Sequence, residues 1–506
     1  MPDHVELRRG AYYDSVSLMQ LSRKVQSAPG VEAAQVAMAT DLNTDVIAGM
    51  GFTIPDGAVT NDLIVAIRGD EGGVEAGKAA LEAALADLKS AGTHSGGFGE
   101  APQRRTLGGA IQSSDANLAL ISVPGQHATV EAFDAIHRGV SVMLFSDNVP
   151  VEDEIRLKDA AAATDVLVMG PDCGTAVVGG VALGFANAVR PGSVGIVAAS
   201  GTGAQQVMCL LDAAGVGMSH CLGVGGRDMS SQVSGRSTRQ ALAALAADEA
   251  TTSVIVVSKP PAAEVLADMQ AYAAGLGVPV HWATLGAGRP DLTAAVEAAL
   301  RADGYTVPEW PSWTTDQEPV KVGALRGLFC GGTLADEAML IASTTLGGIR
   351  SNIPLSGDLA LGADLRDDSH VVIDFGDDTM TQGRAHPMID PSLRLERIAA
   401  EAKDPTCGVL LLDLVLGYGA HQDPADELAE AISDARATAQ GDGRALPVVV
   451  SLTGVEDDPQ GLDRCATALQ RAGASVFLSN AQATRHALSL LPATGTATAT
   501  ATAQEN

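Results

Sequence analysis

Short apolar segments alternate with stretches of helical period throughout residues 1–90. The helical stretches open on polar residues of the kind that cap helices, and the first of them starts at Asp14. The apolar segments have the length and composition of strands, and they are Val5–Tyr13, Val31–Thr40 and Leu63–Arg68. This region therefore predicts a small α/β sandwich of three strands. The Gly- and Ser-rich residues 91–99 that follow it predict a linker.

A different rhythm starts at Ala116, where the apolar segments become short continuous runs separated by helical stretches. Strands that are buried on both faces of a parallel sheet have this pattern. The runs fall into three groups: Leu118–Val123, Ser141–Phe145 and Val166–Met169; Val194–Ala199, Ser253–Val257 and Val278–Ala283; and Val322–Cys330, His370–Phe375, Val409–Val415, Pro447–Leu452 and Ser475–Leu478. Each group predicts one parallel-sheet unit. We therefore expect an α/β protein in five segments: 1–95, 114–190, 191–307, 320–492 and a Thr/Ala-rich tail, 493–506, that is predicted to be disordered.

The composition agrees with this prediction and limits the partners. Hydrophobic residues make up 46% of the 506 residues and aromatic residues only 3%, while 56 glycines allow helices to lie close to sheets. The formal net charge of −29 is expected to repel nucleic acid and anionic membranes. An anionic substrate must therefore be held by local dipoles and a few cations.

Cysteine usage and hydropathy indicate a cytoplasmic protein. The six cysteines are scattered and form no Cys-x-x-Cys pair, so we expect buried thiols rather than a zinc site. No apolar run approaches the ~20 residues that a membrane helix needs. The polar residues 1–10 do not have the pattern of a signal peptide.

The sharpest candidate site is a glycine-rich turn between a strand and a helix. It follows the strand Val194–Ala199 and consists of Ser200, Gly201, Thr202 and Gly203. Backbone N–H groups at such a turn face a ligand, and the helix dipole attracts an anion. The alternative is an ordinary capped turn.

A similar turn follows the strand Val409–Val415. It consists of Leu416, Gly417, Tyr418, Gly419, Ala420 and His421. Open α/β sheets bind ligands at the carboxyl ends of their strands, where these glycines lie. His421 is a candidate phosphate donor or proton shuttle, and the alternative is a histidine without a chemical role.

A third candidate is a cluster of ionisable residues after the strand His370–Phe375. Its members are Asp374, Asp377, Asp378, Arg384, His386 and Asp390. Their density predicts a site, with Mg²⁺ on Asp377 or Asp378 as one interpretation and helix capping or a solvated loop as alternatives. Weaker signals elsewhere are Cys173, expected to be structural or substrate-lining, and the candidate anion contacts Arg227 and Lys259.

Two parts of the chain resemble succinyl-CoA synthetase. Residues 115–285 resemble its α subunit through Val123–Pro124, Met169–Cys173, Val194–Thr202, Gly223–Gly226 and the acidic helix at Ala247–Glu249; residues 322–490 resemble the carboxyl-terminal domain of its β subunit through Gly331–Gly332 and Gly417–Gly419.

This resemblance implies a Rossmann-like unit at 114–190 and two flavodoxin-like domains of succinyl-CoA synthetase type at 191–307 and 320–492. In that enzyme two such helix starts share one phosphate site. The resemblance therefore implies that Ser200–Gly203 and Gly417–His421 face each other across a domain interface.

The whole chain resembles the FdrA family. The residues that carry this resemblance are Asp14–Met19, Ser22–Lys24, Asn61–Asp62, Gly376–Asp378 and Gly383–Asp390. It implies one subunit of the heteromeric oxamate carbamoyltransferase of allantoin breakdown, which converts oxalurate and phosphate into oxamate and carbamoyl phosphate. In this role Arg384 would pair with the carboxylate of the ureide, and His386 or His421 would move the proton.

Departures from succinyl-CoA synthetase separate the functional hypotheses. The loop that holds its phosphorylated histidine reads Ala283–Gly288 here and contains no histidine, and His281 lies inside the preceding strand. The CoA-binding loop and an ATP-grasp domain are also missing from the pattern. The leading hypothesis is therefore a carbamoyltransferase subunit that uses phosphate. The alternatives are an acyl-CoA synthetase-like component and a non-catalytic scaffold or regulatory subunit, and no resident cofactor beyond Mg²⁺ is indicated.

Overall fold

The computed structural model describes residues 2–9, 11, 13, 15–55, 57–59, 62–91, 104, 106–381 and 385–492. Asp14, Arg384, most of the predicted linker and the tail 493–506 lie outside the described residues. The chain forms two compact units. One comprises Met1–Ala116, Ser122–His127 and Asp378–Ala385, and the other comprises Asn117–Ile121, Ala128–Asp377 and His386–Asn506.

A three-stranded antiparallel sheet forms the centre of the first unit. The elements along residues 1–116 are β1 Asp3–Arg8, α1 Ser15–Gln26, β2 Val31–Met38, α2 Asp41–Gly49, β3 Leu63–Gly69, α3 Glu71–Ala91 and α4 Leu107–Gln112. The strand order is β1-β3-β2. Alternate residues of β3 point to opposite faces of the sheet, so Val65 packs with Leu21 and Leu81 while Ile64 packs with Ile47. The predicted three-stranded α/β domain is confirmed.

A small parallel sheet follows in the chain. Its strands and the helices between them are β4 Leu118–Ile121, α5 Gly125–His137, β5 Ser141–Leu144, α6 Val151–Ala163 and β6 Val168–Met169. The strand order is β4-β5-β6, and both pairings are parallel. These strands coincide with the first group of predicted apolar runs.

The second sheet has six strands. The elements are β7 Thr175–Val178, β8 Val181–Gly184, β9 Pro191–Ala199, α7 Gly201–Ala213, β10 Met218–Gly223, α8 Arg236–Ala247, β11 Ser253–Ser258, α9 Ala263–Ala273, β12 Val280–Thr284 and α10 Leu292–Ala302. The order is β12-β11-β9-β10-β7-β8. The first four of these strands are parallel, and the antiparallel hairpin of β7 and β8 extends the sheet at one edge.

The third sheet has seven strands. The elements are β13 Ser312–Trp313, β14 Ala324–Phe329, α11 Gly332–Leu346, β15 Arg350–Ser351, β16 Val371–Asp374, α12 Asp378–Thr381, α13 Ser392–Lys403, β17 Cys407–Val415, α14 Pro424–Gly441, β18 Val448–Thr453, α15 Leu462–Arg471, β19 Ser475–Phe477 and α16 Asn480–Ser489, with a 3₁₀ turn at Gly357–Leu359. The order is β13-β19-β18-β17-β14-β16-β15, and all pairings are parallel except that of β13. Every residue of the central strand β17 is buried, as its continuous apolar sequence predicts. The predicted fold class is confirmed: a small α/β domain precedes parallel-sheet α/β units.

Helix α7 connects the second and third sheets. Every residue from Gly203 to Leu211 is buried, which is typical of a helix enclosed on all sides. The Gln206 side chain donates to the Leu478 carbonyl at 3.0 Å and accepts from the Asn480 amide at 3.1 Å. These contacts fix the axis of α7 and so determine where its first turn lies. Among the helices that the structure describes, none is long and apolar enough to cross a membrane.

Candidate functional site

The first turn of α7 begins where β9 ends. Ser200 is extended, with φ −169°, and its hydroxyl accepts a hydrogen bond from the Gly203 amide at 3.0 Å. A serine in this position is a standard helix cap. Within the described part of the chain, the amides of Gly201 and Thr202 have no protein acceptor. They are available to a ligand.

The first turn of α11 also begins where a strand ends, and the sequence did not predict a site there. It follows β14 and consists of Cys330, Gly331, Gly332 and Thr333. The buried carboxylate of Asp413 accepts from the amides of Cys330 and Gly331, each at 2.8 Å. Among the described residues, the next two amides, those of Gly332 and Thr333, have no protein acceptor.

These two helix starts contact each other. The hydroxyls of Ser200 and Thr333 are 2.6 Å apart. A Cβ atom on Gly203 would lie 2.5 Å from the Ser200 hydroxyl and 3.0 Å from Thr333, and one on Gly331 would lie 3.0 Å from Thr202. The glycines therefore permit the close approach. We call residues 200–203 and 331–333 the paired helix start; the positive ends of two helix dipoles meet there, which favours an anion.

One lysine and two carboxyl groups border the start of α11. The Lys259 ammonium is 4.0 Å from an oxygen of Asp336, and a Cβ atom on Gly332 would lie 3.2 Å from the Lys259 ammonium and 2.5 Å from an oxygen of Asp374. Burial raises the pKa of Asp336 to about 6 and the pKa of Asp374 to about 7. Near neutral pH this edge of the site can therefore lose negative charge by taking up protons.

A small open cleft lies beside the start of α7. Its lining residues are Asp172, Cys173, Gly174, Thr175, Ala198, Ser200, Gly201, Gly223 and Gly225. Burial raises the pKa of the Cys173 thiol to about 12, so this thiol is a wall of the cleft and not a thiolate nucleophile. All six cysteines are buried and unpaired with one another, as predicted.

The expectation that the turn Gly417–His421 faces Ser200–Gly203 stays a prediction, and the Leu416 carbonyl of this turn accepts from Gln205 of α7 at 3.3 Å. The hydroxyl of Ser200 contacts that of Thr333, and the amides of Gly417, Tyr418 and His421 donate to neighbours of their own turn. The Gly417 amide donates to Gln460 at 3.0 Å, the Tyr418 amide to the Ala186 carbonyl at 2.8 Å, and the His421 amide to the Met388 carbonyl at 2.8 Å. These amides already have acceptors, because the segment before β9 packs against the turn.

The remaining candidate residues lie near β16 and β17. Gly419 contacts Phe185, and Ala420 packs against the third-sheet core. The His421 ring accepts from the Asp423 amide at 3.0 Å. Asp377 follows β16 and Asp378 begins α12, and their binding role stays a prediction. Arg384 lies outside the described residues.

His386 is partly buried and uncharged at neutral pH. Its ring lies 5.8 Å from the ring of Phe185, and its Nδ1 accepts from the Met388 amide at 3.2 Å. Burial lowers the pKa of His386 to about 4. It therefore does not supply a cation for phosphate.

Two weaker sequence signals have structural partners. The Arg227 guanidinium lies 2.9 Å from Glu154 and donates to the Val149 carbonyl at 2.7 Å. The His281 ring lies 2.8 Å from Asp303. Neither side chain lines the cleft or the paired helix start. Among the described residues, no group of three or more His, Cys, Asp or Glu side chains is arranged to hold a metal ion.

Comparison with known proteins identifies two domains. A family model described as CoA-ligase matches residues 328–490, and one described as the AllF heavy metal-associated domain matches residues 1–102. The matched amino-terminal region contains no cysteine. YahF of Escherichia coli (strain K12), described as an uncharacterized protein, is 37% identical over 492 residues, which cover 93% of this chain and 95% of YahF.

The chain belongs to the YahF family. This chain contains the CoA-ligase domain, and the succinyl-CoA synthetase-like character predicted from the sequence is confirmed. Subunit alpha 2 of the ADP-forming succinate–CoA ligase of Archaeoglobus fulgidus is 29% identical over 184 residues, covering 34% of this chain and 63% of that subunit. The α subunit of the ADP-forming succinate–CoA ligase from Methanothermobacter thermautotrophicus is 26% identical over 230 residues, which cover 42% of this chain and 77% of that subunit. The finer assignment to FdrA stays a prediction.

Solved structures include a dinucleotide-forming acetyl-coenzyme A synthetase 1 of Ca. Korarchaeum cryptofilum in complex with phosphate and ADP. It is 15% identical and covers 74% of this chain and 82% of its own, with a TM-score of 0.27. A likeness of this size carries no argument about the site.

Proposed function

We propose that this protein is the phosphate-binding component of an acyl-CoA synthetase-like enzyme, and that it transfers an acyl group between a thioester and inorganic phosphate. The observation that carries the proposal is the paired helix start, where four backbone amides have no acceptor among the described residues and where Lys259 lies beside Gly332. The match of residues 328–490 to a CoA-ligase domain supports the class of reaction. The same evidence favours this function over the carbamoyl transfer that leads the sequence hypotheses.

The proposed step needs only phosphate and an acyl thioester. A phosphate oxygen attacks the thioester carbonyl, the carbon–sulfur bond breaks, and the thiolate leaves and takes up a proton. The products are an acyl phosphate and a free thiol. Amides of Gly201, Thr202, Gly332 and Thr333 hold the other phosphate oxygens, and Lys259 balances their charge. The cleft lined by Thr175 and Gly201 then receives the acyl carbonyl.

The fate of the acyl phosphate depends on a partner. In residues 283–288 no histidine is present to take up the phosphoryl group, and His281 is held by Asp303 within the second sheet. We therefore propose that the acyl phosphate passes to other subunits of a heteromeric complex.

Carbamoyl transfer remains the second candidate. The missing histidine favours it, because phosphorolysis of oxalurate needs no phosphohistidine. Phosphate would attack the carbamoyl carbon, the bond to the oxamate nitrogen would break, and that nitrogen would take up the proton. The same phosphate site would serve.

One assay separates the candidates. The full chain, alone and with the products of neighbouring genes, is incubated with phosphate and either short-chain acyl-CoAs or oxalurate. Free thiol, acyl phosphate and carbamoyl phosphate are then measured. We expect phosphate-dependent thiol release that is lost in Gly201→Val, whose Cβ would lie 3.3 Å from the Thr175 hydroxyl, and kept in Gly441→Val, where nothing lies within 4 Å.

The outcomes are distinct. Carbamoyl phosphate without thiol release would replace the first candidate by the second. Activity in neither assay, with phosphate still bound, would support a scaffold or regulatory subunit.

A further inference from the structure

The carboxyl group of Asp374 lies at the edge of the paired helix start. Asp374 is the last residue of β16, and 3% of its surface is exposed. Its Oδ1 accepts from the Gly376 amide at 2.8 Å, and its Oδ2 lies 2.5 Å from the point that a Cβ atom on Gly332 would occupy. Among the described residues no donor bonds to Oδ2. This buried oxygen is therefore available to a ligand at the start of α11.

The backbone holds Asp374 in this position. The Asn352 side chain donates to the Asp374 carbonyl at 2.8 Å and accepts from the Asp374 amide at 2.9 Å. On the other side β16 pairs in parallel with β14, and Asp374 lies opposite Phe329. Because β14 leads directly into the start of α11, the distance between the carboxyl group and that helix is set by the sheet.

The paired helix start is open to solvent beside Asp374. Gly201, Thr202 and Gly332 are each partly exposed, and 43% of the Lys259 side chain is exposed. An anion can therefore reach the amides of both helices from the solvent side. The volume of an enclosed pocket does not limit what binds there.

The charges near this carboxyl group come from several elements. Asp374 and Lys259 are the groups nearest to Gly332, and around them lie Asp336 of α11, Asp377 after β16, His386 and Asp413 of β17. Arg394 pairs with Asp413 at 2.7 Å. Burial raises the pKa of Asp374 to about 7, so near neutral pH the group is present both with and without its proton.

We propose that Asp374 makes this site specific for a tetrahedral oxyanion that carries a proton, such as hydrogen phosphate, over one that carries none, such as sulfate. The inference rests on the phosphate site of the proposed function and names the protonation state of its ligand. The P–O–H group of hydrogen phosphate donates to Oδ2, while its other oxygens accept from the Gly332 and Thr333 amides. Sulfate has only acceptors, so the ionised carboxylate repels it.

The test compares four anions in two pairs of similar size, by titration calorimetry of the full chain at pH 8. Phosphate and arsenate keep a proton at this pH, whereas sulfate and selenate have none, and all four carry nearly the same charge. We expect phosphate to bind at least about tenfold more tightly than sulfate, and arsenate to exceed selenate by a similar factor. At pH 6 a protonated Asp374 donates to sulfate, so the preference should fall to about threefold.

Two variants locate the effect. Asp374→Asn keeps an oxygen for the Gly376 amide but places a donor where Oδ2 was, so it should bind phosphate and sulfate within about threefold of each other at pH 8. The control Asp368→Asn removes the same charge at an exposed position and should keep the wild-type preference. If Asp374→Asn does not fold, the comparison of the four anions in the wild type decides alone.

The outcomes separate this inference from the proposed function. Equal affinities for phosphate and sulfate at pH 8 would overturn the inference, as would a grouping of the four anions by size or an unchanged preference in Asp374→Asn. In each of these cases phosphate still binds, and the proposed function stands. Absence of binding for all four anions would overturn both.

Discussion

The turns at 200–203 and 417–421 have the same sequence signature and different environments. Each follows a buried parallel strand and precedes a helix. At the first turn the amides of Gly201 and Thr202 have no described acceptor. At the second, Gln460 and Ala186 accept from the amides of Gly417 and Tyr418.

The difference shows that glycines at a strand end give only the capacity for an anion site. Whether an anion site exists depends on whether groups from distant parts of the chain already accept hydrogen bonds from these amides in the folded protein. The start of α11 also has amides without a described acceptor. It contacts the start of α7 through the hydroxyls of Thr333 and Ser200.

Gly203→Val should have the largest effect. A side chain there would lie 2.5 Å from the Ser200 hydroxyl and 3.0 Å from Thr333, so the two helix starts must separate. We expect phosphate affinity to fall at least about 100-fold, or about 2.7 kcal/mol, and stability to fall by ~1–3 kcal/mol. Titration calorimetry and denaturant unfolding measure both, with Gly441→Val as the control. Wild-type affinity in Gly203→Val would separate phosphate binding from the contact of the helices.

Lys259→Met should weaken phosphate binding by about tenfold or less, since its half-exposed ammonium is partly screened by solvent. The exposed Lys321 gives the matched control, because Lys321→Met removes the same charge elsewhere. Equal losses in the two variants would show a general charge effect and no contact at the site.

The pKa of Asp374, raised to about 7 by burial, predicts a pH effect of about threefold. Between pH 6 and 8 this carboxyl ionises and adds negative charge beside Gly332. Lys259 lowers the pKa of Asp374, whereas Asp413 and Asp377 raise it. Sulfate does not titrate in this range, so its affinity should fall as pH rises. The fall should be smaller in Asp374→Asn, where Asp336, with a pKa of about 6, still ionises.

The ionisation of Asp374 also makes the stability of the fold depend on pH, and its contribution falls as pH rises. Its pKa is higher in the folded protein than in the unfolded chain, so its contribution is fully present below about pH 4 and is lost as pH rises through about 7. Denaturant unfolding at several pH values should show less pH dependence in Asp374→Asn than in wild type. Identical slopes would indicate that this carboxyl is not protonated in the folded protein.

Gln460→Leu should have the smallest effect on phosphate. It frees the Gly417 amide and removes the donor to the Gly417 and His421 carbonyls. We expect stability to fall by ~1–3 kcal/mol and phosphate affinity to change less than about twofold. A large loss of affinity would place the 417–421 turn in the phosphate site after all.

The sequence predicts much of the fold because buried parallel strands are continuous apolar runs. The strand β17, buried throughout, is an example. The hairpin of β7 and β8 was missed, since its strands have four residues each and lie next to glycines. The sequence does contain a signal for the start of α11, because the strand β14 is followed directly by Cys330-Gly331-Gly332-Thr333. It contains no signal that α11 pairs with α7, because Ser200 and Thr333 are 133 positions apart.

The most direct test is a titration with phosphate followed by amide NMR of protein labelled with ¹⁵N-glycine. If phosphate lies between the starts of α7 and α11, the Gly201 and Gly332 signals shift in a saturable manner while those of Gly417 and Gly419 stay in place. Shifts at Gly417 and Gly419, with Gly201 and Gly332 unmoved, would contradict the account.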